Sequence, residues 1–143
     1  MKNITLALAT VSVLGLSACV TQEQADDKMF TGCKAAVSAM LEPRTVKEFK
    51  GTPTAEDEKT MGSVYRRVKL VYVENDDFAE TEHQGSCLFS QQWGMFKSSH
   101  AAMLEQVTWG DNQLIGKKDG NIEGDMNQFM KLNEKVDTAM GSN

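Results

Sequence analysis

The longest amphipathic pattern in the chain covers residues 21–42. Apolar residues recur there at spacings of three and four, which places them on one face of an α-helix. That face holds Ala25, Met29, Cys33, Ala36, Val37, Met40 and Leu41. Thr21 and Gln24 have the spacing of a capping box, and Pro43 stops the helix because the residue before a proline avoids helical angles. The pattern predicts an N-terminal helix with Cys33 in the middle of its buried face.

Two segments in the middle of the chain have the composition of β-strands. Residues 63–74 are rich in β-branched and aromatic side chains, and residues 82–91 alternate between the two faces of a strand. They predict an antiparallel pair in which Cys87 points at the first helix. Residues 44–50 are a shorter strand candidate. Residues 51–62 hold Pro53 and several charged side chains, which predicts an exposed loop.

The last third of the chain combines a hairpin pattern with a second helix. Residues 103–109 and 113–116 predict two strands joined by a turn at residues 110–112, although residues 98–105 also fit a short helix. Residues 75–81 and 116–124 are polar connections. Asp125 is a suitable N-cap for a helix that ends near Met140. Together the elements predict an α+β fold, a small antiparallel sheet of four to five strands with an N-terminal and a C-terminal helix.

The start of the chain has a different pattern, in which Lys2 precedes an apolar run that ends at Leu16. The run is too short to span a bilayer but has the length of the apolar part of a secretory signal. The closing residues, Leu16, Ser17, Ala18 and Cys19, resemble the lipobox of bacterial lipoproteins. In that family, signal peptidase II cleaves just before the cysteine, and the cysteine carries the lipid.

This resemblance implies that residues 1–18 are a lipoprotein signal peptide and residues 19–143 a single mature envelope domain. Cys19 would carry palmitate-type acyl chains, and two such chains anchor a protein stably. Val20 after the cysteine, rather than aspartate, implies sorting to the outer membrane of a Gram-negative bacterium, with the domain facing the periplasm. An ordinary cleavable signal fits poorly because Leu16 at the −3 position is large. An uncleaved anchor would need about 20 apolar residues.

The chain has three cysteines, and lipidation of Cys19 would leave an even pair. Disulfides persist in the periplasm and at the cell surface, so we expect Cys33 and Cys87 to form a bridge there. The alternative is two separate buried thiols. No CxxC motif is present, so the sequence gives no support for a thioredoxin-like redox function.

The formal net charge of −5 makes nucleic acid and anionic lipid poor partners. Within this acidic chain, Arg66, Arg67 and Lys69 form a local basic cluster. Such residues commonly protect an edge strand from aggregation or lie on a solvated sheet face. A docking strip for an acidic partner is the less favoured interpretation.

Other candidate motifs carry little chemistry. Residues 119–125 space oxygen-bearing side chains as calcium loops do, but the twelfth position is Met130 rather than a carboxylate, so a polar turn before a capped helix is preferred. His100 and Met103 alone do not make a copper site. Ser86 lacks the surrounding pattern of a nucleophile elbow. We assign no catalytic residue, metal ligand or cofactor from the sequence.

In outline the chain resembles the small single-disulfide lipoproteins of Gram-negative envelopes. This implies a binding or structural accessory that is attached to the membrane through Cys19 and contacts an envelope protein. One alternative is an inhibitor of lysozyme, because lysozymes are basic and residues 62–65 faintly resemble the serine–glycine–tyrosine signature of such inhibitors, in a different order. A second alternative is an enzyme, which would require a deep pocket lined by converging polar groups.

Overall fold

A computed structural model describes residues 19–75 and 79–141. The elements in chain order are α1 (Gln22–Leu41), β1 (Thr45–Thr60), β2 (Ser63–Asn75), β3 (Glu80–Trp93), a 3₁₀ turn (Met95–Lys97), β4 (His100–Trp109), β5 (Gln113–Lys118), β6 (Asn121–Glu123) and α2 (Met126–Met140). The six strands form one antiparallel sheet in which each strand pairs with its neighbour in sequence. The predicted α+β class and the two terminal helices are confirmed, but the sheet has six strands instead of four to five.

Helix α1 begins and ends where the sequence predicts. The Thr21 hydroxyl accepts a hydrogen bond from the Gln24 backbone N–H at 3.2 Å, and the Gln24 side chain accepts one from the Thr21 N–H at 3.0 Å. These two bonds satisfy backbone donors that the first helical turn would otherwise leave unpaired. The apolar face of α1 lies against the sheet, and its buried residues include Ala25, Met29 and Val37.

Strand β1 corrects the prediction of an exposed loop at residues 51–62. The strand continues through this segment to Thr60. Pro53 falls in a register shift between Lys50 and Thr54, on the edge strand of the sheet, where a missing N–H breaks no ladder hydrogen bond. The acidic residues that follow lie opposite basic residues of β2; for example, Asp57 pairs with Arg66. Cross-strand ion pairs thus hold a segment whose polarity alone predicts a loop.

Three other boundaries also differ from the prediction. Strand β3 begins at Glu80, inside the predicted connection, whose residues 76–78 lie outside the described residues. Residues 100–105 belong to strand β4, so the short helix considered for residues 98–105 is wrong. Residues 116–124 are not a loop throughout, because Lys118 still belongs to β5 and Asn121–Glu123 forms β6. Strand β6 has only exposed residues, so no apolar alternation marks it in the sequence.

The core lies between the two helices and one face of the sheet. Cys33 of α1 and Cys87 of β3 form a disulfide across this core, with 5.6 Å between their Cα atoms, and neither residue is exposed to solvent. The predicted pairing is confirmed, as is the prediction that Cys87 faces the first helix. The largest buried side chains around the bridge are Tyr72, Phe89, Met29, Leu41 and Leu104.

Helix α2 completes the helical layer. The Asp125 carboxylate accepts a hydrogen bond from the Gln128 N–H at 2.7 Å, which confirms Asp125 as the N-cap. Its buried residues, Phe129, Leu132, Val136 and Met140, face α1 and the end of the sheet. Gly32 of α1 lets the helices approach closely, because a Cβ atom there would lie 2.8 Å from Met140.

Candidate functional site

The outer edge of β4 is the most distinctive feature of the sheet. Strand β5 pairs with β4 only from Gln106 to Trp109, so within the described residues no strand pairs with the outer edge of residues 100–105. Gly116 explains the separation. Its φ of 111° is strained for residues with a side chain, and a Cβ atom would collide with the Glu105 carbonyl oxygen and the Phe129 ring. The chain turns away from β4 at this glycine, and the backbone edge before Gln106 is left open.

A groove of about 330 Å³ lies along this open edge. Ala101, Ala102 and Met103 of β4 form one side, and Asn133 and Asp137 of α2 form another part of the wall. Met103 is 55% exposed, so its apolar side chain is accessible to a molecule in the groove. Ser90 and Gln92 of β3 also line the groove, so its apolar surface from β4 is flanked by polar side chains of both β3 and α2.

Asn133 supplies an unused hydrogen-bond acceptor in the wall of the groove. Its side-chain N–H group donates to the Phe129 carbonyl at 3.1 Å, which fixes the amide. Its Oδ1 atom is buried and has no hydrogen-bond partner among the described residues. Since buried polar atoms in folded proteins are nearly always paired, this oxygen is suited to accept an N–H group from a bound molecule.

A second cavity, of about 410 Å³, lies on the sheet face opposite the helices. Polar side chains line it, including Lys50, Lys69, Ser86 and Thr108. Both lysines are paired with carboxylates of the same sheet, Lys50 with Glu82 at 3.1 Å and Lys69 with Glu56. The hydrogen bond to Glu82 raises the pKa of Lys50, so this amine stays protonated and is not a candidate base.

The basic cluster of β2 is neutralised within the chain. Arg66 lies on the helical side and binds Asp26 of α1 at 2.6 Å and Asp57 at 2.9 Å. Arg67 lies on the opposite face and binds Glu58 through two hydrogen bonds of 2.6 and 2.7 Å, which lower the pKa of Glu58. Because β1 and β3 both pair with β2, the edge-protection interpretation is wrong. The paired charges also give no support for an acidic partner at this site.

The structure does not bring the candidate catalytic residues together. The Ser86 hydroxyl bonds to the Thr108 hydroxyl at 2.8 Å and accepts from Arg67 at 3.3 Å. His83 stacks on Tyr72, whereas the His100 ring bonds to Gln91 near the start of α1. Neither histidine is a hydrogen-bond partner of Ser86. Ser86 therefore has no histidine partner among the described residues that could activate it as a nucleophile.

The candidate metal sites are also not formed. His100 and Met103 lie three residues apart on a strand, so they point to opposite faces of the sheet. Asp119 and Gly120 make the turn between β5 and β6, and Asp125 caps α2, as the preferred interpretation predicts. In the two described segments, no cluster of three or more histidine, cysteine or acidic side chains could hold a metal ion.

Cys19, the predicted lipidation residue, is exposed and takes no part in the disulfide. The next residue is held in place, because the Val20 N–H donates to the Lys97 carbonyl at 2.9 Å. Leu16, Ser17 and Ala18 of the predicted lipobox and the apolar run before them lie outside the described residues. None of the helices in the described ranges has the length and apolar character needed to cross a membrane.

The open edge is the site that the sequence analysis missed. Gly116 stands inside a strand pattern, and such a glycine often marks a bulge or a close approach of the backbone, but the pattern does not show which strand loses its partner. The comparisons find no protein-family model, no curated protein and no solved structure that matches this chain.

Proposed function

We propose that this protein is a lipid-anchored lipoprotein of the Gram-negative outer membrane that binds an extended segment of an envelope protein. The observation that carries the binding proposal is the unpaired outer edge of residues 100–105 of β4. An extended peptide can add to such an edge as a further strand, and its main-chain hydrogen bonds supply affinity. The groove beside the edge supplies the pocket for its side chains.

The walls of the groove indicate the chemistry of the partner segment. Met103 and the two alanines before it favour apolar or small side chains, and a flexible thioether adapts to several shapes. The unpaired Asn133 oxygen favours an N–H donor. Asp137 favours a basic side chain at one end. The partner segment is therefore extended, mostly apolar and neutral or basic, which suits the net negative charge of the chain.

The binding proposal is tested by placing a charge on the open edge. Met103→Lys puts a lysine beside the groove, and edge lysines discourage strand addition. Ile122→Lys is the matched control, because it puts the same charge on β6, the strand at the end of the sheet. The natively anchored wild type and both variants are used for affinity capture from intact envelopes.

The expected result is one stoichiometric partner that is captured by wild type and by Ile122→Lys and is lost with Met103→Lys. A partner that both variants retain would contradict binding at the β4 edge. A partner lost with Ile122→Lys alone would move the site to β6. Circular dichroism of both variants checks that the fold is intact in each.

The anchoring proposal has its own support and its own test. Cys19 is exposed and outside the disulfide, which leaves its sulfur accessible to the acylating enzyme. Mass spectrometry of the protein from its native envelope should show an N-terminal cysteine with diacylglyceryl and amide-linked acyl chains. An N-terminus that begins elsewhere, or an unmodified Cys19, would overturn this part of the proposal.

A further inference from the structure

One end of the sheet carries the most exposed apolar side chains of the described chain. Phe96 is 91% exposed and Met95 is 80% exposed, both in the 3₁₀ turn between β3 and β4. Met61, in the turn between β1 and β2, is also 80% exposed. In an antiparallel meander these two turns lie at the same end of the sheet, and the register agrees, since Tyr65 at the start of β2 pairs with Ser90 near the end of β3. We call Met61, Met95 and Phe96 the apolar tips.

The predicted lipid attachment point lies at the same end. The Val20 N–H donates a hydrogen bond to the Lys97 carbonyl. Cys19 precedes Val20 in the chain and Phe96 precedes Lys97, so each is the direct neighbour of one residue of this bonded pair. With Cα atoms about 3.8 Å apart along the chain, Cys19 lies within about 15 Å of Phe96. The start of α1 is tied to this end as well, because the Gln22 side chain donates to Gln91 of β3 at 3.2 Å.

The backbone holds the tips outward. Phe96 has a φ of 55°, Lys97 of 56° and Met61 of 51°, a left-handed conformation that residues with a Cβ atom rarely adopt. Phe96 and Met61 combine this unusual backbone conformation with high exposure of a large apolar side chain. The turn between β4 and β5, which lies at the other end of the sheet, consists of Gly110, Asp111 and Asn112.

The side chains around Phe96 suit a lipid interface. The Lys97 ammonium group lies 5.4 Å from the centre of the Trp93 ring, so an aromatic ring and a cation stand beside the apolar tip. Tryptophan and lysine are typical of the boundary between hydrocarbon and headgroups.

We infer that the apolar tips insert into the membrane interface beside the lipid anchor and fix the orientation of the domain. The inference rests on the proposed acylation of Cys19. Acyl chains on Cys19 would bring this end of the sheet to the headgroup layer. Because the anchor already holds the protein at the membrane, insertion of the tips requires no further loss of translational entropy. The β4 edge is thereby held at a constant angle to the membrane, and the polar turn at residues 110–112 points away from it.

The test uses tryptophan residues as fluorescent reporters of membrane insertion. The protein is expressed from the complete sequence, processed by its native cell and purified from the envelopes. It is then reconstituted into vesicles of phosphatidylethanolamine and phosphatidylcholine that contain brominated lipid as the quencher. Phe96→Trp places the reporter on an apolar tip. Asp111→Trp is the matched control on an exposed turn at the other end of the sheet. The emission of wild type, which holds Trp93 and Trp109, is subtracted from each variant.

The expected result is strong quenching and a blue shift for Phe96→Trp and unchanged emission for Asp111→Trp. Equal emission changes at the two reporters, or none at Phe96→Trp, would overturn the insertion of the tips. Mass spectrometry of the same purified protein shows independently whether Cys19 carries acyl chains. An acylated protein without quenching overturns only this inference, whereas a protein without acyl chains overturns both this inference and the proposed anchoring.

A second pair of variants checks that the tips set the orientation. Met95→Ser combined with Phe96→Ser removes the apolar surface, and Met130→Ser removes a methionine of α2 that is 59% exposed but does not belong to the apolar tips. Neutron reflectometry of the anchored protein should show the long axis of the sheet losing its fixed tilt in the double variant and keeping it with Met130→Ser. An unchanged tilt in the double variant would overturn the role of these two residues.

Discussion

Gly116 controls the site at the scale of a single residue. Its backbone takes a φ of 111°, and the space for a Cβ atom is occupied by the Glu105 carbonyl oxygen and, at 2.9 Å, by the Phe129 ring. No rotation of a flexible side chain relieves a contact with a backbone oxygen. Any residue other than glycine would be strained in this backbone conformation. The same conformation turns β5 away from β4 and leaves the β4 edge unpaired.

We expect Gly116→Ala to lower the free energy of unfolding by about 3 kcal/mol or more, from backbone strain and overpacking together. Gly120→Ala is the control, because its φ of 83° is also left-handed but nothing lies within 4 Å of the added Cβ atom. Strain alone should cost about 1 kcal/mol there. Urea unfolding of the oxidised proteins measures both. Equal losses would show that the contact with Glu105 is unimportant.

His100 links stability to pH. Burial, with a smaller effect of the Lys28 charge, lowers the pKa of His100 below its ordinary value of 6.5, although Asp26 opposes the shift. The unfolded chain therefore binds this proton more readily than the folded chain. The resulting stability is present above pH 6.5 and is lost as the pH falls through the folded pKa.

His100→Gln should remove this loss while keeping a side-chain donor for the Gln91 oxygen, which lies 3.0 Å from the His100 ring nitrogen. Urea unfolding at about pH 7.5 and about pH 5.5 should show a smaller difference for the variant than for wild type. Both proteins should still weaken below pH 4.5, where Glu58, whose pKa is lowered by Arg67, begins to take up protons in the unfolded chain. An identical difference in the two proteins would contradict the assignment to His100.

At the scale of elements, local signals predicted the helices and long-range pairing decided the strands. Helix α1 was predicted within one residue at each end, because its capping box and apolar spacing are local. Residues 51–60 were not predicted as a strand. Their place in β1 depends on pairing with β2, including ion pairs between residues of the two strands. The pairing of Cys33 with Cys87 was predictable from the sequence, because only two cysteines remain once Cys19 is set aside. The open β4 edge was not, since it depends on where β5 leaves its neighbour.

Asp26 and Arg66 connect two of these elements, α1 and β2. Both side chains are only 14% exposed, whereas Asp57, the second partner of Arg66, is 62% exposed. Asp26→Asn should cost about 1–3 kcal/mol, because it leaves a partly buried guanidinium without its main carboxylate. Asp57→Asn should cost no more than about 0.5 kcal/mol. Thermal or urea unfolding compares the two, and a larger loss for Asp57→Asn would contradict this ranking.

At the scale of the whole molecule, the helical layer and the sheet are joined covalently at one point. The Cys33–Cys87 bridge spans 54 positions of sequence, a segment that includes β1 and β2. Constraining a loop of this length removes entropy from the unfolded chain, which stabilises the fold by about 4 kcal/mol. The same bridge keeps α1 in a fixed position on the sheet that carries the open β4 edge.

Removing both cysteines with Cys33→Ala and Cys87→Ala should therefore lower the free energy of unfolding by about 4 kcal/mol. Cys19→Ser, which removes an exposed sulfur that is not part of the bridge, should leave the free energy of unfolding unchanged. A reducing agent should weaken wild type and Cys19→Ser equally and have no effect on the double variant, since only the bridge responds to it. Denaturation curves with and without reductant measure these differences. Weakening of the double variant by reductant, or a loss in Cys19→Ser alone, would show that the stability comes from another source than the bridge between α1 and β3.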